Sequence, residues 1–342
     1  MLFSVCIPNY NYDKDLGKTI SSILNNRMTD LEIVIADNAS TDNSVDLVKK
    51  AQVGIDNIKL KVNLTNVGFA ANLERAAGMA SGKYMIMLSS DDLMKAGALA
   101  VYRDILEIHP MAVMTSSVDV IDGEEKITGY IGPDKNLWNQ TDVDEVLSSK
   151  FGCVVYRAKS ATLLNRCLLK MANPFNFCAV VYPRSTYLNS GGYTSRLINP
   201  DKWFHWKMLV QADEAIYVDK AFFQYRVHNQ NQWALQSRSG HLKFLLDEYR
   251  NVIELDDTLL SKANMRRDDC VQSFLLNDIY RHGIGEFLKG RWLKSLRVYF
   301  FGLSTFPGSM LLKLRFLLYT ALLLTTPIGS FAFSKVLRLE DK

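Results

Sequence analysis

Asp91 and Asp92 stand side by side in "KYMIMLSSDDLMKAGAL", residues 83–99, between an apolar run and a stretch with helical spacing. Adjacent carboxylates repel, so one pKa rises or a cation relieves the repulsion. Hard oxygen ligands with room left for diphosphate oxygens and water suit Mg²⁺ or Mn²⁺. The competing role for Asp92 is to cap a helix starting near Lys95. A second acid, Asp201, heads the amphipathic run in "GGYTSRLINPDKWFHWKML", where it could take a proton from a reacting hydroxyl or cap the helix. His228, in "YRVHNQNQ", offers an imidazole for a metal or for an ordinary hydrogen bond.

The elements that must position these residues show two periodicities. Short β-rich runs at 2–8, 31–37, 58–63, 83–88 and 111–118 alternate with helical spacing at 14–26, 42–52, 69–80 and 95–108. This is an α/β pattern of βαβ units and predicts a doubly wound, mostly parallel sheet with its ligand site at the strand C-terminal ends. The polar clusters "PNYNYD", "DNASTD", "NLTNVG" and "SSDD" each follow a strand and should meet in one crevice. Residues 120–150 are polar, contain Gly and Pro, and read as an insertion on the acceptor side.

Several classes are excluded by what the chain lacks. No Gly-x-Gly-x-x-Gly follows the first strand and no Gly-Lys-Ser/Thr occurs, which argues against a dinucleotide oxidoreductase or a P-loop enzyme. The five cysteines are odd in number and widely spaced, so neither a disulfide framework nor a thiolate zinc site is expected. The opening "LFSVCIPNY" is too short and too lightly charged for a secretory signal, and a cytoplasmic protein is expected.

The formal charge of +4 conceals an asymmetry. From Arg281 to Arg338 there are nine Lys or Arg and a single acid, Glu286, interleaved with Trp292, Tyr299, Phe300, Phe301, Phe316 and Tyr319. The uncharged run 316–333 is 18 residues, at the lower edge of spanning length, and is broken by Pro327 and Gly329. Basic and aromatic residues around such a run predict helices lying in an anionic membrane interface, with their rings at the boundary. A buried helical bundle with a solvated basic face is the alternative.

Taken together, "SVCIPNYN", "EIVIADNASTDNS", "NVGFAANLERAAGMASGKYMIMLSSDDLMKAGAL", "SGGYTSRLINPDKWFHWKML" and "YRVHNQNQ" resemble the blocks of the inverting, metal-dependent glycosyltransferases of family 2, which have the GT-A fold. The resemblance covers residues 2 to about 230 and implies the following roles. Pro8, Asn9 and Tyr10 line the nucleotide pocket, and Asp37 hydrogen-bonds the base, usually uracil. Asn66 and Gly68 form the turn beside base and ribose. Ser90, Asp91 and Asp92 face the donor, with Asp91 on the metal-binding acid of the family's Asp-x-Asp motif and Asp92, also a metal ligand, on the acid that commonly follows it. Ser89 stands where many members carry its first Asp, which thins the coordination. Asp201 matches the catalytic base, with Pro200 where members often have Glu. His228 is implied to reach the metal or diphosphate, and Arg226 to assist the leaving diphosphate. Trp203 and Trp206 are candidates for a sugar platform, with at least one of them in the core.

The expected organisation is a catalytic domain over 1–235, divided at 119/120 into nucleotide-sugar and acceptor halves, and a membrane-associating helical region over 236–342. The expected activity is transfer of a sugar from a nucleotide-sugar, UDP-linked by the resemblance, to a hydroxyl of a glycan or lipid-linked saccharide in surface polysaccharide synthesis. The enzyme would work as a peripheral protein on the inner face of the cell membrane, without a nucleic-acid partner. Two other classes compete. A metal-dependent sugar nucleotidyltransferase would want a basic Gly-rich loop after the first strand, which "PNYNYDKD" is not. A non-catalytic nucleotide-sugar or membrane-binding module would lack the base that Asp201 supplies.

Overall fold

A computed structural model of the chain describes residues 1–198, 200–228 and 241–324. The chain divides into two compact units, Met1–Cys167 with Asn173–Asn231, and Leu168–Ala172 with Gln232–Lys342. The boundary expected at 235/236, and the stretch 325–342 of the basic region, lie outside the described residues.

The first unit is built on a sheet of β1 Phe3–Asn9, β2 Leu31–Asp37, β3 Ile58–Val62, β4 Tyr84–Met87, β5 Leu93–Met94, β6 Val113–Ile121, β7 Ile127–Ile131, β8 Val155–Lys159, β9 Val181–Pro183 and β10 Glu214–Arg226. Its path runs β3-β2-β1-β4-β9-β6-β10-β5, with β7 on β6 and β8 on β10. Strands β1 and β2 are buried along their whole length, so both faces are covered and the sequence reads as unbroken apolar runs. The helices Leu16–Leu24, Ser44–Gln52 and Phe69–Met79 follow β1, β2 and β3. The first buries Leu16, Ile20 and Ile23, one face at helical spacing.

The β3-β2-β1-β4 half is parallel, as expected, so its four C-terminal ends share one edge. The other half is mixed. There β9 runs antiparallel to β4 and β6, β7 to β6, and β8 and β5 to β10, while β6 and β10 are parallel. The polar stretch after residue 121 causes part of this. A connection as short as that from β6 to β7 can only return antiparallel, so the expected insertion begins as a hairpin on the sheet. Asp92 caps no helix: β5 follows it, and the next helix, Ala98–Ile108, starts after Gly97.

The second unit is helical, with His241–Ile253, Asp257–Ala263, Arg267–Phe274, His282–Leu288, Trp292–Thr305, Pro307–Leu311 and Leu314–Leu324. A π-helical segment, Leu275–Arg281, joins the third of these to the fourth. Among the described residues no helix is long and apolar enough to cross a membrane. The aromatic rings expected at a membrane boundary sit differently. Tyr299, Phe316 and Tyr319 are buried, because Tyr299 packs edge-on to Tyr319 at 5.2 Å between ring centroids and Tyr280 edge-on to Phe316 and Tyr319, while Trp292 and Phe301 are half-buried and Phe300 is exposed.

Candidate active site

At the end of β1 and β2 the register pairs Asn9 with Asp37. Asn9 Nδ2 donates to Asp37 Oδ2 at 2.8 Å, while Ser40 gives its backbone N–H to Oδ1 at 2.8 Å and its hydroxyl to Oδ2 at 2.7 Å. Three of the roughly four acceptor directions of a carboxylate are thus used, leaving room for one further N–H. Asn9 Oδ1 is buried with no partner, and Tyr10 beside it is exposed, a ring open to stacking. Pro8, next to last in β1, has its carbonyl accept from the Ser90 hydroxyl at 2.9 Å, and the Ser90 carbonyl accepts from Thr19 Oγ1 at 2.8 Å. Ser90 therefore has a task its sequence position did not suggest: it ties the loop after β4 to β1.

An asparagine network shapes the next loops. Asn38 Nδ2 donates to Asn66 Oδ1 at 2.8 Å, Asn63 Nδ2 to Asn38 Oδ1 at 3.0 Å and to Asn72 Oδ1 at 2.9 Å, and Asn72 Nδ2 to the Ala36 carbonyl at 2.8 Å. The side-chain amides replace ladder bonds where the strands stop, which holds three loops in one conformation. Asn66 Oδ1 also accepts from the Gly68 N–H at 2.9 Å. Gly68 has φ of 85°, a left-handed value that favours glycine, and opens the helix Phe69–Met79. The sequence reading found Asn66 and Gly68 but not Asn38, Asn63 or Asn72.

The acid pair lies where β4, β5 and β10 meet. The β5–β10 register sets Leu93 against Gln224, and this brings the last residues of β10 to the loop after β4. Asp92 Oδ1 accepts from the Arg226 backbone N–H at 2.9 Å, and Arg226 Nε donates to the Asp91 carbonyl at 2.9 Å. Arg226 is buried, and its Nη1 donates to the Asp122 carbonyl at 3.1 Å. Its side chain clamps the loop that presents Asp91. Burial, and then the neighbouring Asp91 charge, push the Asp92 carboxyl well above the ordinary carboxylate range. His228 Nε2 lies 2.9 Å from Asp91 Oδ2, and this hydrogen bond raises the imidazole pKa against the opposing effect of burial.

Among the described residues no three His, Cys, Asp or Glu side chains converge as a metal-ligand cluster. The expected set of Asp91, Asp92 and His228 is thus not a closed one, since Asp92 turns one oxygen to the Arg226 backbone. What remains fits a divalent cation that shares its coordination with a ligand. Asp91 and His228 bring a carboxylate oxygen and an imidazole nitrogen to one point, and on the adjacent residue Asp92 Oδ2 is buried without a hydrogen-bond partner.

Asp201 lies in the first turn of the helix Pro200–Gln211. Asn173 Nδ2 donates to Asp201 Oδ2 at 2.9 Å, and Asn173 Oδ1 is 2.7 Å from Nδ1 of the buried His205. Burial holds the His205 imidazole down at about 3, so it is neutral. Asn173 was missed in the sequence, where only its Asn-Pro dipeptide marked a turn. Five residues further on, the buried Cys178 thiol is pushed up by burial and by the Asp92 charge beside it. Residues 173–178 thus run, over at most about 18 Å, from the partner of the candidate base to a thiol that feels the charge of the acid pair. Trp203 and Trp206 are both buried, which removes them as an exposed sugar platform.

Gly192 shows how the two halves of this unit are held. Its φ is 69°, and a Cβ there would meet the Glu74 carboxylate at 2.5 Å. Glu74 accepts from the Tyr193 N–H and the Tyr187 hydroxyl, which pins the turn before Asp201 to the helix Phe69–Met79.

Residues 4–157 match Glycosyl transferase family 2. That segment belongs to the family. The E. coli UDP-Glc:alpha-D-GlcNAc-diphosphoundecaprenol beta-1,3-glucosyltransferase WfgD is a relative, 26% identical over 176 residues, 52% of this chain and 64% of that protein. The Campylobacter jejuni GalNAc(5)-diNAcBac-PP-undecaprenol beta-1,3-glucosyltransferase is 35% identical over 98 residues, 28% of this chain and 32% of that protein. The chain thus spans less than two thirds of the length of these curated relatives. Crystalline S. aureus TarS 1-349 in complex with UDP-GlcNAc has a TM-score of 0.61 at 17% identity, covering 99% of this chain and 92% of that one. At that identity the likeness establishes the fold, which is GT-A. The family 2 segment carries Pro8 to Asp92 of the site, while Asn173, Asp201, Arg226 and His228 lie beyond it.

Proposed function

We propose that the chain is an inverting, metal-dependent glycosyltransferase that moves a sugar from a UDP-sugar to a hydroxyl of a glycan carried on a polyprenyl diphosphate. The observation that carries this reading is the pairing of Asp201 with Asn173 on a segment whose other end borders Asp92. The names of the relatives supply the donor and acceptor classes: WfgD uses UDP-Glc on a diphosphoundecaprenol-linked sugar, and TarS binds UDP-GlcNAc.

In this reading Tyr10 stacks on the base, and Asp37 Oδ1 takes a base N–H in the acceptor direction left by Ser40. Gly68 keeps the wall beside the ribose free of a side chain, since nothing lies within 4 Å of where its Cβ would stand. Asp91 and His228 would hold Mg²⁺ or Mn²⁺, which when bound would supply positive charge against the diphosphate. Arg226 keeps the Asp91 loop in place. Asn173 orients the Asp201 carboxylate through Oδ2, and that carboxylate accepts the proton of the attacking hydroxyl, whose oxygen approaches the anomeric carbon from the face opposite the diphosphate. One displacement inverts the anomeric configuration. The work would take place at the inner face of the membrane, where polyprenyl-linked glycans are presented.

The test is to incubate the purified full chain with Mn²⁺ and a panel of sugar nucleotides, and to measure nucleotide diphosphate release with and without a polyprenyl-diphosphate sugar. One UDP-sugar should be hydrolysed slowly alone and faster with acceptor. Release of pyrophosphate from a sugar phosphate and a nucleoside triphosphate, with no sugar transfer, would replace this reading with nucleotidyl transfer.

A further inference from the structure

In the second unit the helices Trp292–Thr305 and Leu314–Leu324 form an antiparallel pair. Trp292 Nε1 reaches the Leu323 carbonyl at 3.4 Å, the Ser295 and Tyr319 hydroxyls are 2.8 Å apart, and Tyr299 OH is 2.6 Å from Thr320 Oγ1. The inward side of Leu314–Leu324 is complete, with Phe316, Tyr319 and Leu323 buried. Its outward side is apolar too. Leu314 is 71% exposed, Leu317 48% and Leu318 59%, at the i, i+3, i+4 spacing of a single face. Leu311 and Leu312, at 54% and 86%, continue the surface just ahead of the helix.

A helix with an exposed apolar face opposite its packed one needs a second apolar medium there. The surrounding charge selects which. From Phe287 to Leu324 the chain carries Lys289, Arg291, Lys294, Arg297, Lys313 and Arg315 and no acid. Lys289 and Arg291 pair with Glu286, while Lys294, Arg297, Lys313 and Arg315 make no salt bridge to a described carboxylate. A twofold contact between copies through this face would bring like charges together. An anionic lipid surface complements both features, and a helix of 11 residues, about 16 Å long, lies in that surface and does not cross it.

We propose that Leu311, Leu312, Leu314, Leu317 and Leu318 insert at the acyl boundary of an anionic bilayer while Lys313 and Arg315 rest on lipid phosphates. This deepens the lipid-linked acceptor reading above and rests on it for its purpose. The attachment is by leucine insertion, and the buried rings Tyr299, Phe316 and Tyr319 stabilise the helix pair from within.

The test is sedimentation of the full chain with vesicles of phosphatidylcholine alone or mixed with phosphatidylglycerol, at low and high salt. The wild type should bind the mixed vesicles and keep a salt-resistant fraction. Combining Leu314→Glu, Leu317→Glu and Leu318→Glu should weaken binding at least about tenfold, because insertion scales with buried apolar area. Combining Lys313→Gln with Arg315→Gln should also weaken binding roughly tenfold and remove most of its salt dependence. The substituted leucines are exposed and Lys313 and Arg315 are half-buried without a carboxylate partner among the described residues, so circular dichroism and sugar-nucleotide hydrolysis without vesicles should match the wild type. That hydrolysis reports the catalytic reading separately from attachment. A triple-Glu variant that binds vesicles like the wild type overturns the proposal. So does a wild type that ignores lipid charge, or one that is dimeric in solution where the triple-Glu variant is monomeric with unchanged vesicle binding.

Discussion

Asn173 holds Asp201 through a 2.9 Å hydrogen bond from Nδ2 to Oδ2, and its own orientation is set from behind by His205. Because burial keeps His205 neutral, its single ring proton sits on Nδ1, pointing at Asn173 Oδ1. The amide cannot flip without breaking both bonds. Asn173→Leu is therefore expected to lower kcat by roughly 10–100-fold, through loss of orientation, with UDP affinity by calorimetry unchanged. Equal loss of UDP affinity would make Asn173 part of the fold only.

Asp201→Asn keeps the bond to Asn173 within reach but cannot accept a proton. Turnover should fall by about 10² to 10⁴ with donor binding retained. A variant with normal turnover would reduce Asp201 to a residue of the first helical turn.

Chelation by excess EDTA should abolish transfer and be reversed by Mn²⁺, and Asp91→Asn should act like chelation, with His228→Ala milder. The reason is that Asp91 and His228 present the only ring-nitrogen and carboxylate pair at this loop among the described residues. Full transfer in chelator would remove the cation from the reaction.

Glu32, in β2, is buried between Ser4, Ser81 and Lys59. Burial alone would raise its carboxyl, but the Lys59 ammonium and the hydrogen bonds of Ser4 and Ser81 outweigh burial and hold it at about 2. A depressed folded-state value gives stability that is present above the unfolded value near 4.5 and is lost as pH falls toward 2. Glu32→Gln should cost on the order of 2 kcal/mol at neutral pH, and urea titrations should show the gap closing between about pH 4.5 and 2. A gap independent of pH would assign the cost to packing.

Gly192→Ala should destabilise the first unit by about 1–3 kcal/mol, since a Cβ would press on Glu74 in a left-handed backbone. Thermal unfolding of Gly192→Ala beside Gly78→Ala is the check, because Gly78 has nothing within 4 Å of its Cβ position. Equal midpoints would show that the turn relaxes.

The sequence by itself determined the parallel half of the sheet and the loops at its edge. Runs such as "LEIVIAD" and the helical spacing between them are local signals, and parallel strands joined by helices must end their strands on one side. Pro8, Asn9, Asp37, Asn66, Gly68, Asp91 and Asp92 could be singled out for that reason, since each lies at the C-terminal end of one of these strands or in the loop that follows it. Only the tertiary structure decided the partners. Asn173 finds Asp201 across 28 positions of sequence, Glu74 finds Tyr193 across 119, and Arg226 finds Asp92 across 134. Such contacts depend on strand order and on the antiparallel β5–β10 and β4–β9 registers, to which periodicity is blind. In the C-terminal helices the sequence set the composition, apolar and basic, while packing chose the direction. The rings of Tyr299, Phe316 and Tyr319 turned inward to satisfy one another, which left the leucines of Leu314–Leu324 as the outer face.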